Sequence, residues 1–590
     1  MEDSVTLAEA TTDIQPIASH RPDAKTRRYD RQLRLWASSG QKSLEEANVL
    51  LVGCDAAGCQ ALKNLVLPGI AQFTILTASK VTAGDISTNF FLLSESLGGS
   101  LAEEAVRLLK ELNPSVQGHP DPRSAEQVLE EDPAWFRSFG LVIVCGSGED
   151  ADVGAEVTRR IGKALWEGGQ EDTPMISLRT SGFVAKVRTQ FREHCVIDTH
   201  PDHSHTLRID TPFKALEDYA LGLDLDSMDS MEHSHVPYVL LLVRALRTFE
   251  KENDGKRPTY DTTDAFKEVL ARERKAVDEE NFAEAEGQVF AVTQVSEVPA
   301  GVKSLMDDPS CEGVSKDSKD FWLLVKALKA FVAHPENKSG LLPLSASLPD
   351  MHTSTASYIN LQNLYKKQAM ADATLFKSCL KEVLSEVGLD GEAISEGDAD
   401  DFVKHCHTLL CERGSQPKEE LTAEDVADDF LMETFDLTHG VALNIAFHLA
   451  EKHHLKTGTW PGTVEDEYHT VKAQMFDQAK AILGMPELGS NVDRDDDGRL
   501  YIRPEQDEDD MDEETEEDVE RREETRKAKI VQDSICEICR GGMKVLPTTA
   551  ALVGGLVAQE AIKLITKQYS PLNGTCIVDL VKGGMTRYPI

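Results

Sequence analysis

The sequence has few basic residues, few aromatic residues and no long apolar run. Its 590 residues include 62 Lys and Arg against 102 Asp and Glu, which gives a net charge of −40, and aromatic residues make up 6%. Such a surface repels nucleic acid and anionic lipid and attracts basic partners. The longest apolar runs, Val236–Val243 and Ala550–Ala558, are too short to span a bilayer. The sequence therefore predicts a protein of the cytoplasm or nucleus, with neither a nucleic-acid nor a membrane partner.

Cysteine usage argues against a disulfide framework. The eleven cysteines are an odd number and scattered, which is typical of reduced thiols in a reducing compartment. Three places attract attention: Cys195 after a strand-like segment, Cys406 between two histidines, and the C-x-x-C pair Cys536 and Cys539. Because a structural zinc site needs a second ligand pair that this sequence lacks, we predict packing roles for these thiols and no metal site.

Apolar patterns divide the chain into an α/β part and a helical part. Strand and helix patterns alternate from about residue 49 to 189, helical patterns dominate from about 205 to 530, and the α/β pattern returns at 548–580. This predicts an α/β fold with a doubly wound, mainly parallel sheet, interrupted by a large helical insertion. The predicted segments are a disordered tail 1–26, a first α/β part 27–190, the insertion 191–535 and a closing helix with strands 536–590.

A dense acidic run lies near the end of the predicted insertion. Residues 505–524 contain 14 acidic and 2 basic residues, so we predict a disordered, solvated loop over 493–527. The run 493–498, DRDDDG, imitates the first half of a calcium loop, but Pro504 stands where the bidentate glutamate would be. We therefore predict a polar turn there.

A degraded phosphate-binding loop follows the first predicted strand. The motif runs from Gly53 to Gly58 as GCDAAG, and Asp55 replaces the middle glycine of G-x-G-x-x-G. That glycine normally lets backbone N–H groups reach a phosphate at the start of a helix. A carboxylate at this place blocks the approach and repels the phosphate, by about 4 kcal/mol at 4 Å in a medium of dielectric 20. The motif predicts a nucleotide-binding scaffold that has lost its ligand.

Four arginines precede this strand within ten residues. Arg27, Arg28, Arg31 and Arg34 could recognise phosphate through their planar forks, or could simply form surface ion pairs on an acidic protein. Composition alone leaves both possibilities open.

The run RRYDRQLRLWASSGQKSLEEANVLLVG, followed by LKNLVLPGI and TNFFL, resembles the start of the adenylation domain in activating enzymes for ubiquitin-like modifiers. With HSHVPYVLLL, LPDMHTSTASYINLQNLYKKQA and TAALVGGLVAQEAIKLITKQY, the likeness extends from about residue 27 to 590. Among these enzymes the chain more closely resembles the regulatory, non-catalytic subunits of the neddylation activating enzymes, of the amyloid-precursor-protein-binding type.

The resemblance implies that this chain is the inactive half of a heterodimer. Besides Asp55, residues without the required charge stand where an active half would hold ribose, phosphate or magnesium: Thr77, Thr88, Gly99 and Ser147. ATP and magnesium are then expected in a catalytic partner subunit, which also carries the thioester cysteine, and no cofactor is expected in this chain.

Two positive roles also come from the resemblance. The second arginine of the R-Y-x-R-Q pattern is Arg31, which is expected to reach the ATP phosphates of the partner. The helix around Tyr358–Thr374 is expected to face the partner through Tyr358, Leu361, Leu364 and Tyr365, although their helical spacing equally fits a core. The alternatives are a self-sufficient activating enzyme, an adaptor outside conjugation, and the degenerate subunit of the sumoylation activating enzyme.

Overall fold

The chain is divided into two compact units in a computed structural model. The first unit contains Met1–His194 and Glu412–Ile590, and the second contains Cys195–Cys411. The structure describes residues 23–146, 153–168, 172–198, 207–416, 440–464, 467–483, 492–494, 500–502 and 516–588. Most of the predicted tail, the position of Ser147 and most of the acidic run lie outside these ranges.

The helices alternate with strands at first and then follow one another. They are α1 (Ala24–Glu46), α2 (Ala56–Val66), α3 (Ala83–Thr88), α4 (Leu101–Glu111), α5 (Ala125–Glu131), α6 (Ala155–Trp166), α7 (Lys214–Leu221), α8 (Ser230–His233), α9 (Tyr238–Glu252), α10 (Thr263–Ala271), α11 (Glu280–Gly287), α12 (Phe290–Thr293), α13 (Ala300–Met306), α14 (Pro309–Glu312), α15 (Asp320–Ala333), α16 (Thr355–Glu386), α17 (Glu396–His405), α18 (Gly440–Thr457), α19 (Tyr468–Leu483), α20 (Glu516–Gly541) and α21 (Pro547–Thr566).

Eight strands of the first unit form one sheet. The strands of the chain are β1 (Asn48–Val52), β2 (Gln72–Leu76), β3 (Gln117–Asp121), β4 (Leu141–Cys145), β5 (Met175–Ser181), β6 (Val184–Gln190), β7 (Glu193–Val196), β8 (Leu410–Arg413), β9 (Val492–Arg494), β10 (Leu500–Ile502), β11 (Gly574–Asp579) and β12 (Gly584–Tyr588). The large sheet has the order β12-β11-β6-β5-β4-β1-β2-β3. The five neighbouring strands β5, β4, β1, β2 and β3 pair in parallel. Strands β6, β11 and β12 continue the sheet with antiparallel pairing. The α/β fold with a mainly parallel sheet is confirmed.

Both faces of the sheet are covered by helices. In β1, Val49 and Leu51 belong to a core shared with α2, α4 and α21, whereas Leu50 and Val52 belong to the core on the opposite face. Because side chains alternate across a strand, an apolar run such as NVLLV is what a strand buried on both faces requires. This burial fixes the end of β1, and with it the loop at residues 53–58.

Strand β3 is polar, so the sequence carries no apolar pattern that would predict it. Its sequence QGHPD contains Pro120, and each of its five residues is exposed or half-buried. A proline cannot donate a hydrogen bond to a neighbouring strand and is therefore confined to sheet edges, and β3 is the edge strand beside β2. The Val and Ile enrichment that marks the inner strands is absent here.

The second half of the predicted insertion belongs to the sheet unit. Helices α18, α19 and α20 form one core with Val184, Ile577 and Tyr588 of the antiparallel strands. They cover the sheet face that would otherwise expose these side chains, so the observed division falls at Cys195 and Cys411 and not at 191 and 535. Hydrophobic periodicity detects such helices but does not say which core they join.

Part of the predicted acidic loop is also ordered. Helix α20 begins at Glu516, inside the acidic run, and β9 pairs antiparallel with β10, which follows the predicted turn. The carboxyl-terminal half of α20 is anchored by the buried residues Ala528, Val531, Ile535 and Ile538. A packed half supplies a helix nucleus, so that helix formation extends into a sequence that could not start one alone.

One helix meets the length and composition of a membrane span. Among the described residues it is α21, whose apolar pattern extends beyond the run Ala550–Ala558. This helix packs against α1 and α2 in the sheet core, and its buried residues include Val553, Val557 and Ala561. Its apolar character is thus accounted for by burial within the first unit.

The second unit is helical and has two cores. One surrounds α9 and includes the first turns of α16, and the other surrounds α15 and includes the later turns of α16. Helix α16 therefore runs through both cores, which determines which of its side chains can reach the surface.

Candidate functional site

The loop between β1 and α2 keeps the two glycines that shape a phosphate-binding loop. Gly53 has φ +79°, and a Cβ atom there would lie 2.0 Å from the carbonyl oxygen of Cys145. A Cβ atom on Gly58 would lie 2.4 Å from the Sγ of Cys145. The first glycine is thus required by the sharp turn and the last by close packing of α2 on β4. The scaffold of the motif is intact.

Asp55 occupies the place where this scaffold would receive a phosphate. It is the N-cap residue of α2, and its Oδ1 accepts a hydrogen bond from the backbone N–H of Gly58 at 2.8 Å. Only 7% of Asp55 is exposed. The chain therefore carries its own anion at the helix N-terminus, and the N–H group that a phosphate oxygen would use is already bonded.

Burial of this carboxylate is costly. Burial raises the pKa of Asp55, while hydrogen bonds from Gly58 and Cys145 and the charge of Arg179 act in the opposite direction. Burial and the charge of Asp55 in turn raise the pKa of the Cys145 thiol well above its usual value. The loop thus holds a desolvated acid beside neutral thiols, which is an unfavourable environment for a triphosphate.

Replacing Asp55 by Asn is expected to improve stability increasingly as the pH rises. The raised folded-state pKa means that wild type loses stability between the unfolded pKa near ~4 and the folded pKa, whereas Asn has no proton to lose and still caps the helix. Urea unfolding of both proteins between about pH 4 and pH 7 measures this. A difference in unfolding free energy that stays constant over this range would contradict the burial cost assigned to Asp55.

The other predicted positions of the degenerate site also lack charge and are used structurally. The Thr77 Oγ1 accepts a hydrogen bond from the backbone N–H of Ser79 at 3.2 Å, and Thr77 is buried. The Thr88 hydroxyl donates to the carbonyl of Gly84 at 3.1 Å. Gly99 lies in a turn where a Cβ atom would be 3.1 Å from the carbonyl oxygen of Ser96. None of these three residues carries a charge that could neutralise a phosphate, and Ser147 lies outside the described residues.

Arg179 is a charged residue near the loop that sequence reasoning missed. Its guanidinium donates to the carbonyls of Gly146 at 3.3 Å and Gly154 at 3.1 Å, and to the Thr158 hydroxyl at 2.7 Å. It also lies 5.3 Å from the ring centroid of Trp460. This cation therefore organises backbone carbonyls of the chain itself. The available signal was a lone arginine inside a buried strand pattern, MISLRTS.

Arg31 differs from the other arginines of α1. The Arg28 side chain donates to the carbonyl of Leu112, Arg27 donates to the carbonyl of Asp23, and Arg34 pairs with Asp30 at 3.1 Å. Arg31 is exposed, and within the described ranges no hydrogen bond or ion pair engages it. Its guanidinium is therefore available to a group outside the described part of the chain.

Two buried aromatic residues anchor helix α1 and keep Arg31 exposed. Tyr29 is 5% exposed, and its hydroxyl accepts a hydrogen bond from the Asn113 side chain at 3.0 Å. The buried Trp36 joins the sheet core, and the helix is interrupted directly after it at Ala37, with φ 53°. Since Tyr29 and Trp36 fix the inner face, Arg31 is held on the outer face.

The predicted partner-facing set on α16 requires a correction. Leu361 and Tyr365 are fully buried in the core around α9, and the Tyr365 hydroxyl donates to the carbonyl of Leu207 at 2.6 Å. These two side chains belong to the fold and cannot form a partner surface. Tyr358 and Leu364 are half-buried, so their contact with a partner remains a prediction.

Two of the cysteines singled out in the sequence, Cys406 and Cys539, are poorly suited to nucleophilic chemistry. Cys406 is fully buried, which raises the pKa of its thiol, and burial raises the pKa of Cys539 to about 12. The Cys539 thiol packs on the Met475 sulfur at 3.8 Å. A thiol that stays protonated at neutral pH is a weak nucleophile. Cys195 and Cys536 are half-buried.

Comparison with known proteins agrees with this geometry. The ThiF family matches residues 29–161, the part that contains β1, α2 and the degraded loop. A NEDD8-activating enzyme E1 regulatory subunit of Xenopus laevis is 33% identical over 94% of this chain and 96% of its own length. The corresponding protein of Drosophila melanogaster is 34% identical, and the regulatory subunit AXL of Arabidopsis thaliana is 30% identical, over 94% and 93% of this chain and 96% of each relative. The chain belongs to the family of NEDD8-activating enzyme E1 regulatory subunits.

Proposed function

We propose that this chain supports ATP-dependent adenylation and thioester formation in a catalytic partner subunit, and that it binds no nucleotide itself. ATP and magnesium belong to the partner in this proposal, and the modifier is the ubiquitin-like protein NEDD8 named in its relatives. The observation that carries the proposal is Asp55, whose carboxylate takes the Gly58 N–H in an otherwise intact phosphate loop. The residues present therefore do not fit a bound triphosphate.

The contribution of this chain to the partner's chemistry is Arg31. An exposed guanidinium on an anchored helix can reach across a subunit interface and stabilise the charge on phosphate oxygens, as an arginine finger does. The three neighbouring arginines are engaged by their own chain, which supports Arg31 as the residue that acts in trans.

Arg31→Ala is expected to lower kcat/KM of the heterodimer for ATP by about 10- to 100-fold, the equivalent of one hydrogen bond to a charged group. The loss appears as a raised ATP KM, a lowered kcat or both, in steady-state adenylation assays of the complex. Arg34→Ala is the matched control, because Arg34 lies on the same helix and pairs with Asp30 at the surface. Unchanged kinetics for Arg31→Ala, or an equal loss for Arg34→Ala, would refute the role of Arg31.

A further inference from the structure

Two half-buried thiols lie side by side where the chain enters and leaves the second unit. Cys195 is in β7 and Cys411 is in β8, and they are the first and last residues of that unit. Their Sγ atoms are 3.6 Å apart. The two cysteines are separated by 216 positions in the sequence, so their proximity could not be read from the spacing of cysteines.

The strand register places the two residues directly opposite each other. The Gly414 N–H donates to the carbonyl of Arg192 at 3.2 Å, and Arg413 pairs with Glu193 at 3.8 Å. Cys195 lies three residues after Arg192, and Cys411 lies three residues before Gly414, so the antiparallel strands place the two cysteines opposite each other. Because hydrogen-bonded and non-hydrogen-bonded pairs alternate along such strands, the cysteines occupy a non-hydrogen-bonded position. There the Cα atoms of an antiparallel pair are about 4.5 Å apart, which lies within the range that a disulfide accepts, about 4.4–6.8 Å.

Exposure separates this pair from the other close thiols of the chain. Cys54 and Cys59 are also near each other, with 3.5 Å between their Sγ atoms, but they are 1% and 0% exposed in the degraded loop. Cys195 and Cys411 are both only partly buried. Because a thiolate must meet an oxidant to react, only the second pair combines proximity with access.

We propose that Cys195 and Cys411 form a reversible disulfide when the chain meets a disulfide oxidant such as oxidised glutathione. One thiol loses its proton, and its thiolate attacks a glutathione sulfur, forming a mixed disulfide and releasing one glutathione thiolate. The second thiolate attacks the cysteine sulfur of that mixed disulfide and releases the second glutathione. Two protons leave the protein thiols and are taken up by the two glutathione thiolates, and the two electrons pass to glutathione.

The bridge would join the strand that opens the second unit to the strand that closes it. Residues 195–411 would then form a covalently closed loop, so that β7 and β8 could no longer separate. This is a modification site formed by the first and last residues of the second unit, and it is distinct from the degraded nucleotide loop and from Arg31.

Peptide mapping of the full-length chain tests the proposal. The protein is incubated with oxidised glutathione, the remaining thiols are alkylated in denaturant, and the digest is analysed by mass spectrometry. We expect loss of alkylation at both Cys195 and Cys411, with a linked peptide two hydrogens lighter than its reduced parts that disappears on treatment with dithiothreitol. In Cys195→Ser the linked peptide should be replaced by glutathione attached to Cys411, and in Cys411→Ser by glutathione attached to Cys195.

Two results would overturn the inference. One is that, after incubation of the wild-type protein with oxidised glutathione, Cys195 and Cys411 are still alkylated or carry separate glutathione groups. The other is equal linkage of Cys54 with Cys59 under the same conditions, because oxidation would then follow loss of the fold and not the placement of β7 and β8.

Discussion

Gly53→Ala is expected to destabilise the first unit by about 2–5 kcal/mol. An alanine at φ +79° costs about 1–2 kcal/mol, and its Cβ would lie 2.0 Å from the Cys145 carbonyl oxygen, an overpacking that adds about 1–3 kcal/mol. The Cys145 carbonyl belongs to a central strand, so it cannot move without disturbing the sheet. The unfolding free energy from urea titration measures the effect.

Gly98→Ala provides the matched control for this experiment. Gly98 has φ +78°, almost the same φ as Gly53, but no atom lies within 4 Å of the position its Cβ would take. Gly98→Ala should therefore lower the free energy of unfolding only by the cost of the positive φ, about 1–2 kcal/mol. Equal destabilisation by the two substitutions would show that the close contact between Gly53 and Cys145 contributes nothing, and that the loop has relaxed from the phosphate-loop geometry.

Leu361→Ala should destabilise the second unit by about 2–5 kcal/mol, because it removes a fully buried side chain from a packed core and leaves a cavity. Leu364→Ala, one turn further along α16 and half-buried, should cost about 1 kcal/mol or less. Urea unfolding of the isolated chain resolves the two.

The same two variants distinguish core from interface. If Leu361 were an interface residue, Leu361→Ala would leave the stability of the isolated chain unchanged and weaken its binding to the catalytic subunit. A weakened complex with Leu364→Ala alone, at nearly wild-type stability, would support the remaining prediction for the exposed side of α16.

Local chemistry explains which parts of the site could be predicted from the sequence. The degraded loop was predictable because the turn, the strand and the helix N-terminus are all encoded within residues 48–66, and the structure adds only that Asp55 caps α2. Arg179 was not predictable in the same way, since its partners Gly146, Gly154 and Thr158 come from other elements of the fold. A role that depends on tertiary contacts leaves no local pattern.

The same distinction holds for the fold. Alternating strands and helices from residue 48 to 190 carry strong periodic signals, and these predicted the sheet, except for the polar edge strand β3. The sequence did not predict that α18, α19 and α20 belong to the sheet unit. An amphipathic pattern indicates that one face of a helix is buried, but it does not indicate which element covers that face. Leu361 and Tyr365 illustrate the point within one helix, as their spacing fitted both a core and an interface.

We propose that this chain keeps the architecture of an adenylating domain and has no working nucleotide site. The most direct measurement is ATP binding and ATP–pyrophosphate exchange by the purified chain alone, beside its Asp55→Gly variant. We expect neither protein to bind ATP or catalyse exchange, because removing Asp55 restores no charge at Thr77, Thr88 or Gly99. Tight ATP binding by the wild-type chain, with Asp55 in place, would contradict the account.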